Sequence, residues 1–88
     1  MDFRDLRYFR AIAEQGSFSR AADVLHISQP ALSRAVQRLE VDLDAALFER
    51  HGHGARLTET GRVLAERANT LLRQIEQTRA EIQGGIET

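Results

Sequence analysis

The sequence predicts a mostly α-helical domain in which three short helices and a small β-hairpin are followed by one long C-terminal helix. Three observations carry this expectation. Apolar residues recur at helical spacing, in three runs, through the first 43 residues. The period changes around the glycine-rich stretch His51-Gly52-His53-Gly54. Beyond Thr58 the apolar residues Leu64, Ala68, Leu71, Ile75 and Ile82 step by four, three, four and seven, the last step bridged by Thr78. That is a heptad seam.

The elements follow in order. Phe3, Leu6, Phe9, Ile12 and Ala13 mark a first helix of about four turns, with Asp2 and Asp5 arranged like a capping box and Gly16 as the stop. Ser17 caps a second helix through Ala21, Ala22 and Leu25, whose small residues let a neighbouring helix cross closely. His26-Ile27-Ser28 leaves room only for a tight turn, with His26 expected to cap or pack. Ser28 then caps a third helix, with Gln29 and Pro30 in its first turn, where a missing amide donor costs nothing. Its buried stripe is Leu32, Val36, Leu39 and Leu43. Leu47 to Arg50 and Ala55 to Leu57 read as two strands of a hairpin. Thr58 caps the long helix, which should run over 59–83, about 35–40 Å, and break at Gly84-Gly85.

Composition narrows the function. Eighty-eight residues make one small core, and the absence of cysteine excludes disulfides and thiolate metal sites. No apolar run approaches a membrane span, and Met1-Asp2-Phe3-Arg4 does not open a signal peptide. Cytoplasmic localisation is expected. The formal net charge of −1 lacks the overall basic excess of many nucleic-acid binders, but its distribution is uneven. All twelve basic residues are arginine, and from Ile27 to Leu39 there are two, Arg34 and Arg38, with no acid.

That acid-free stretch carries the chemistry. On a 3.6-residue period Gln29, Ser33 and Gln37 share one side of the third helix, with Pro30, Arg34 and Arg38 beside them, opposite Leu32, Val36 and Leu39. Glutamine pairs with adenine, arginine with guanine, serine with either, and apolar Pro or Ala surface meets a thymine methyl. Residues 18–42 therefore read as a helix-turn-helix whose second helix enters a DNA major groove. A helical dimer that contacts only protein partners is the alternative, and the acid-free stripe argues against it. RNA is disfavoured because its major groove is too narrow for a helix and no aromatic stacking platform is visible. An enzyme is not expected: Glu49, His51 and His53 alternate as metal ligands would, but at a glycine-rich tip without a fourth ligand. No catalytic residue, metal or cofactor is assigned.

The string Phe18-Ser19-Arg20-Ala21-Ala22, then Leu25-His26-Ile27-Ser28-Gln29-Pro30-Ala31-Leu32-Ser33, resembles the N-terminal domain of LysR-type transcriptional regulators. Leu47-Phe48 with Arg50, then Leu57-Thr58 and Gly61, is similar to that family's wing and the start of its linker helix. The resemblance implies a winged helix-turn-helix, dimerised by the long helix, binding an interrupted palindrome at bacterial promoters. It assigns base contacts to Gln29, Pro30, Ser33 and Arg34. It puts Ser17, Ser19, Gln37 and Arg38 near the DNA backbone or groove edge, with Arg50 and His53 in the wing. The dimer seam would be Leu64, Ala68, Leu71, Ile75 and Ile82, weakened by Ala68 and Thr78 and helped by contacts from the first helix or a missing domain, while the first turns of the long helix also dock on their own domain through Val63 or Leu64.

Two departures from the family pattern bear on this expectation. Asp44 stands where a glycine usually follows the third helix, and aspartate tolerates a left-handed cap at small cost. His53 stands where the wing often presents an arginine, so wing affinity should strengthen as pH falls through roughly 6.5. The expected organisation is a DNA-binding unit over 1–58, a dimerisation helix over 59–83, and the start of a linker over 84–88. A small-molecule effector would act only through a C-terminal domain that this chain lacks.

Overall fold

The computed structural model describes residues 1–51 and 54–84, with His51 described in its backbone alone. Helices α1 (Phe3–Gln15), α2 (Phe18–Leu25) and α3 (Gln29–Leu43) precede strands β1 (Phe48–His51) and β2 (Gly54–Leu57), and α4 (Glu59–Gln83) closes the chain. The expected order of elements is present. The strands pair antiparallel, Phe48 opposite Leu57 and His51 opposite Gly54, so each runs one residue further toward the tip than the pattern suggests. Leu47 lies outside β1 and is fully buried.

Each helix begins on a side-chain cap. Asp2, Ser17, Ser28 and Thr58 accept hydrogen bonds from the amides of Arg4, Arg20, Ala31 and Gly61, satisfying donors that the first turn leaves orphaned. The 2.6 Å bond from the Arg4 amide holds the Asp2 carboxyl below its ordinary range. Asp5 departs from the capping-box expectation. It is buried, and its carboxylate turns across the fold to Arg38 instead of back to the helix start.

Helices α1, α2 and α3 all stop on a left-handed residue: Gly16 (φ 68°), His26 (φ 58°) and Asp44 (φ 52°). Glycine takes that conformation freely, whereas histidine and aspartate do so at a cost. His26 is thus the α2 cap, and Asp44 adopts the conformation expected of the missing glycine.

Two apolar clusters meet at the hairpin. Ile12, Phe18, Ala21, Ala22, Leu32 and Val36 knit α1, α2 and α3 together. Leu6, Phe9 and Leu39 pack with Leu47 and with Leu64, Ala68 and Leu72 of α4. Phe48 belongs to both clusters, its ring 5.3 Å from that of Phe9 and 5.4 Å from that of Phe18. Ala35 joins the α3 stripe, while Leu43, expected inside it, is 36% exposed because α3 has passed the edge of the core by then. Phe3 is likewise exposed, ahead of the point where α1 meets its neighbours.

The join between hairpin and α4 depends on Gly61. A methyl added there would stand 2.1 Å from the Leu47 carbonyl oxygen, so only glycine allows the first turn of α4 to lie against that backbone. Thr58 completes the join. Its amide bonds the Leu47 carbonyl at 3.0 Å, and its hydroxyl donates to Ala46 at 2.7 Å.

Candidate nucleic-acid interface

The amino-terminal half of α3 is presented to solvent by its own cap and turn. Ser28, extended at φ −74° and ψ 149°, accepts from the Ala31 amide at 3.2 Å and turns the chain into the helix. Leu32, Ala35, Val36 and Leu39 anchor the opposite side. As a result Gln29, Pro30, Arg34, Gln37 and Arg38 are exposed and Ser33 is half-buried, all on one surface. The acids of α3, Glu40 and Asp42, lie in its second half, away from the cap. Glu40 has a structural role, its carboxylate accepting the Leu47 amide at 2.8 Å.

The expected backbone-contact residues differ in how far the fold engages them. Ser19 and Gln37 are exposed. Ser17 is only 4% exposed; its hydroxyl caps α2 and lies 3.1 Å from that of Ser19, so its role in the fold is to open the helix. Arg38 is gripped by Asp5 in a two-pronged pair, Nε to Oδ2 at 3.0 Å and Nη2 to Oδ1 at 2.9 Å. Hydrogen bonding to Asp5 raises the Arg38 pKa above its already high ordinary value, so the charge is permanent. The carboxylate is buried while the guanidinium side chain keeps 59% exposure, so α1 fixes the direction in which a solvent-facing cation points.

The wing is fastened to this surface. The Ala55 amide donates to the Gly16 carbonyl at 3.0 Å, tying β2 to the turn between α1 and α2. Arg50 reaches from β1 to α3, where Nη2 donates to Ser33 Oγ at 3.1 Å. Its guanidinium also lies 3.8 Å above the centre of the Phe18 ring. His53 lies outside the described residues.

Sequence reasoning does not single out Asp5 and Phe18 as partners of the interface arginines. Asp5 is 33 residues from Arg38, and nothing local marks the pairing. Phe18 sits in the family-like string without a role of its own there, and the structure buries it at 7% exposure.

The long seam is shared between two surroundings. Leu64 and Ala68 are buried in this chain's own core, and Leu72, which the heptad reading omits, is buried with them. Ile75 is half-buried, whereas Leu71 and Ile82 are 40% and 69% exposed. The stripe therefore starts as a core-packing face and becomes free only in the second half of α4. Through Leu64, Ala68 and Leu72, α4 packs against Leu6, Phe9, Leu39 and Leu47.

Residues 3–62 match the family described as bacterial regulatory helix-turn-helix protein, lysR family. The chain belongs to that family. It is 46% identical over 78 residues to the HTH-type transcriptional regulator TfdT of Cupriavidus pinatubonensis, an alignment covering 89% of this chain and 34% of TfdT. Among solved structures, that of the CbnR DBD–DNA complex is 38% identical, with a TM-score of 0.93 over 99% of this chain and 100% of that one. The complex of the BenM DBD with catB site 1 DNA is 40% identical, with a TM-score of 0.90 over 94% and 92% of the two chains. The architecture is thus the winged helix-turn-helix of LysR-type DNA-binding domains, and this lysR-family chain spans about a third of its relative's length. Among the described residues, no group of three or more His, Cys, Asp or Glu side chains could hold a metal ion, and no helix is long and apolar enough to cross a membrane.

Proposed function

We propose that this chain is the sequence-reading part of a bacterial transcriptional regulator and binds duplex DNA as a symmetric pair. One observation carries the reading. The exposed, acid-free half of α3 sits on a domain whose backbone follows the CbnR domain solved with DNA at a TM-score of 0.93. Gln29, Pro30, Ser33 and Arg34 meet base edges in the major groove. Ser19, Gln37 and Arg38 meet the backbone or groove edge, Ser17 caps α2 close beside it, and Arg50 and His53 act from the wing. This is a binding protein of the bacterial cytoplasm and nucleoid, with no reaction of its own.

Pairing follows from charge and shape. A single subunit of net charge −1 offers few cations to phosphate, and two linked subunits double them. The seat for the second copy is the stretch of seam that the core leaves free, Leu71, Ile75 and Ile82. It continues into an apolar groove between α1 and α4 lined by Met1, Phe3 and Thr78. A twofold pair would present two α3 helices to one face of DNA about one helical turn, or a multiple of it, apart.

Selection of bound duplexes from a random DNA pool tests the reading. Two inverted half-sites at such a spacing are expected. A single asymmetric half-site as the only product would overturn the symmetric pair, and no enrichment at all would overturn sequence reading.

A further inference from the structure

Arg50 runs from the wing onto the helices. It does not project from the hairpin but bends over Phe18 of α2, 3.8 Å from the ring centre, and ends on Ser33 of α3 at 3.1 Å. Phe18 is itself held in the core, 7% exposed and packed edge-on against Phe48. One guanidinium thus joins three elements, and stacking on a fixed ring orients its plane.

The chemistry of the Ser33 contact has a direction. Arginine carries donors and no acceptor, so the Ser33 oxygen must accept the bond. One of its two lone pairs is thereby occupied, and a permanent positive charge lies 3.1 Å from it. A second donor approaching that oxygen meets a crowded and electropositive site. The hydroxyl hydrogen, by contrast, is free to turn toward an acceptor. Without Arg50, Ser33 would serve either a donor or an acceptor on a base edge. With it, Ser33 is biased to donate.

We infer that Arg50 is a specificity-determining residue that acts through Ser33, polarising its hydroxyl so that α3 favours a base presenting an acceptor and disfavours the cytosine amino group. The major-groove acceptors are guanine O6 and N7, adenine N7 and thymine O4, whereas cytosine presents the N4 donor. Arg50 is in this sense a positioning residue, fixed by Phe18 and read out at one base pair. This inference rests on the reading of Ser33 as a base-contacting side chain.

The test uses the 88-residue chain and duplexes carrying every single-base change in the site selected from random DNA. Affinities are measured at several salt concentrations for wild type, Ser33→Ala, Arg50→Gln, Arg50→Lys and the Ser33→Ala/Arg50→Gln double variant. Arg50 is exposed, and helical circular dichroism verifies that each variant is folded. Ser33→Ala is expected to flatten a roughly tenfold base preference at one pair of each half-site. Arg50→Gln should flatten the same pair, chiefly by admitting cytosine, and the double variant should be no flatter than Ser33→Ala. Arg50→Lys, which keeps the charge without the stacked fork, should retain part of the preference. A uniform loss of affinity on all duplexes in Arg50→Gln, with the salt slope reduced by about one, would mark Arg50 as a phosphate anchor and overturn the inference. An unchanged base preference in Ser33→Ala would instead overturn the base-contact reading on which it stands.

Discussion

The two halves of α4 have the same kind of sequence and opposite surroundings. Over residues 61–72 the inward positions Gly61, Leu64, Ala68 and Leu72 are all buried against α1, Leu47 and the hairpin. Beyond Ile75 no described residue is buried, and Ile82 keeps 69% of its surface in solvent. The first half is held by this chain's own core, whereas the second needs another surface to cover its apolar side. Periodicity shows that a helix face has a partner. It does not show whether the partner is the same chain.

Neighbouring leucines give the strongest way to break that comparison. Leu72→Asp places a carboxylate in the core and should cost on the order of 4 kcal/mol, a large part of the roughly 5–15 kcal/mol of a small domain. Leu71→Asp, one residue away and 40% exposed, should leave the thermal transition nearly unchanged while dissociating the pair in sedimentation. Equal melting losses in the two variants would erase the distinction between the halves.

A smaller loss is expected at Gly61, where alanine must displace the Leu47 carbonyl. Gly61→Ala should lower stability by about 1–3 kcal/mol in urea unfolding. Thr78→Ala, in the free half, removes only a hydroxyl bonded to the Gln74 carbonyl one turn back and should change stability by a few tenths of a kcal/mol.

The two arginines of α3 extend the contrast to the interface. Arg34→Ala should weaken binding by about 1–3 kcal/mol and relax preference at one base pair per half-site, without altering the melting temperature. Arg38→Ala should weaken all duplexes alike, flatten the salt dependence and also lower the melting temperature, because the buried Asp5 carboxylate loses its partner. Adding Asp5→Ala to Arg38→Ala should recover much of the melting loss and none of the affinity. An unshifted melting temperature in Arg38→Ala would show the pair to be incidental to the fold.

One expected effect is a gain. Asp44→Gly relieves a left-handed aspartate at the end of α3 and should stabilise the chain by up to about 1 kcal/mol, measured by thermal unfolding. DNA affinity should not change, since Asp44 lies at the far end of α3 from Gln29.

Much of this is legible in the residues because it is local. Ser17, Ser28 and Thr58 announce helix starts, Gly16 announces a stop, and the opposition of Gln29, Ser33 and Gln37 to Leu32, Val36 and Leu39 orients α3 before any tertiary contact is known. A cap satisfies its own helix, and a 3.6-residue period is a property of one segment, so both can be read along the chain. Asp5 reads wrongly as part of a cap for the same reason: its position three residues after Asp2 has a local meaning, and its actual partner is 33 residues away.

By itself, then, the sequence determined the helices, their caps, the hairpin and the side of α3 that faces outward. Only the tertiary structure decided that Ala68 and Leu72 face inward with Leu64 while Leu71 stays free, that Asp5 holds Arg38, and that Arg50 rests on Phe18 and Ser33. The physical reason is one of range. Backbone capping and helical period are settled within a few residues, whereas burial and pairing depend on which distant surfaces the folded chain brings within contact distance.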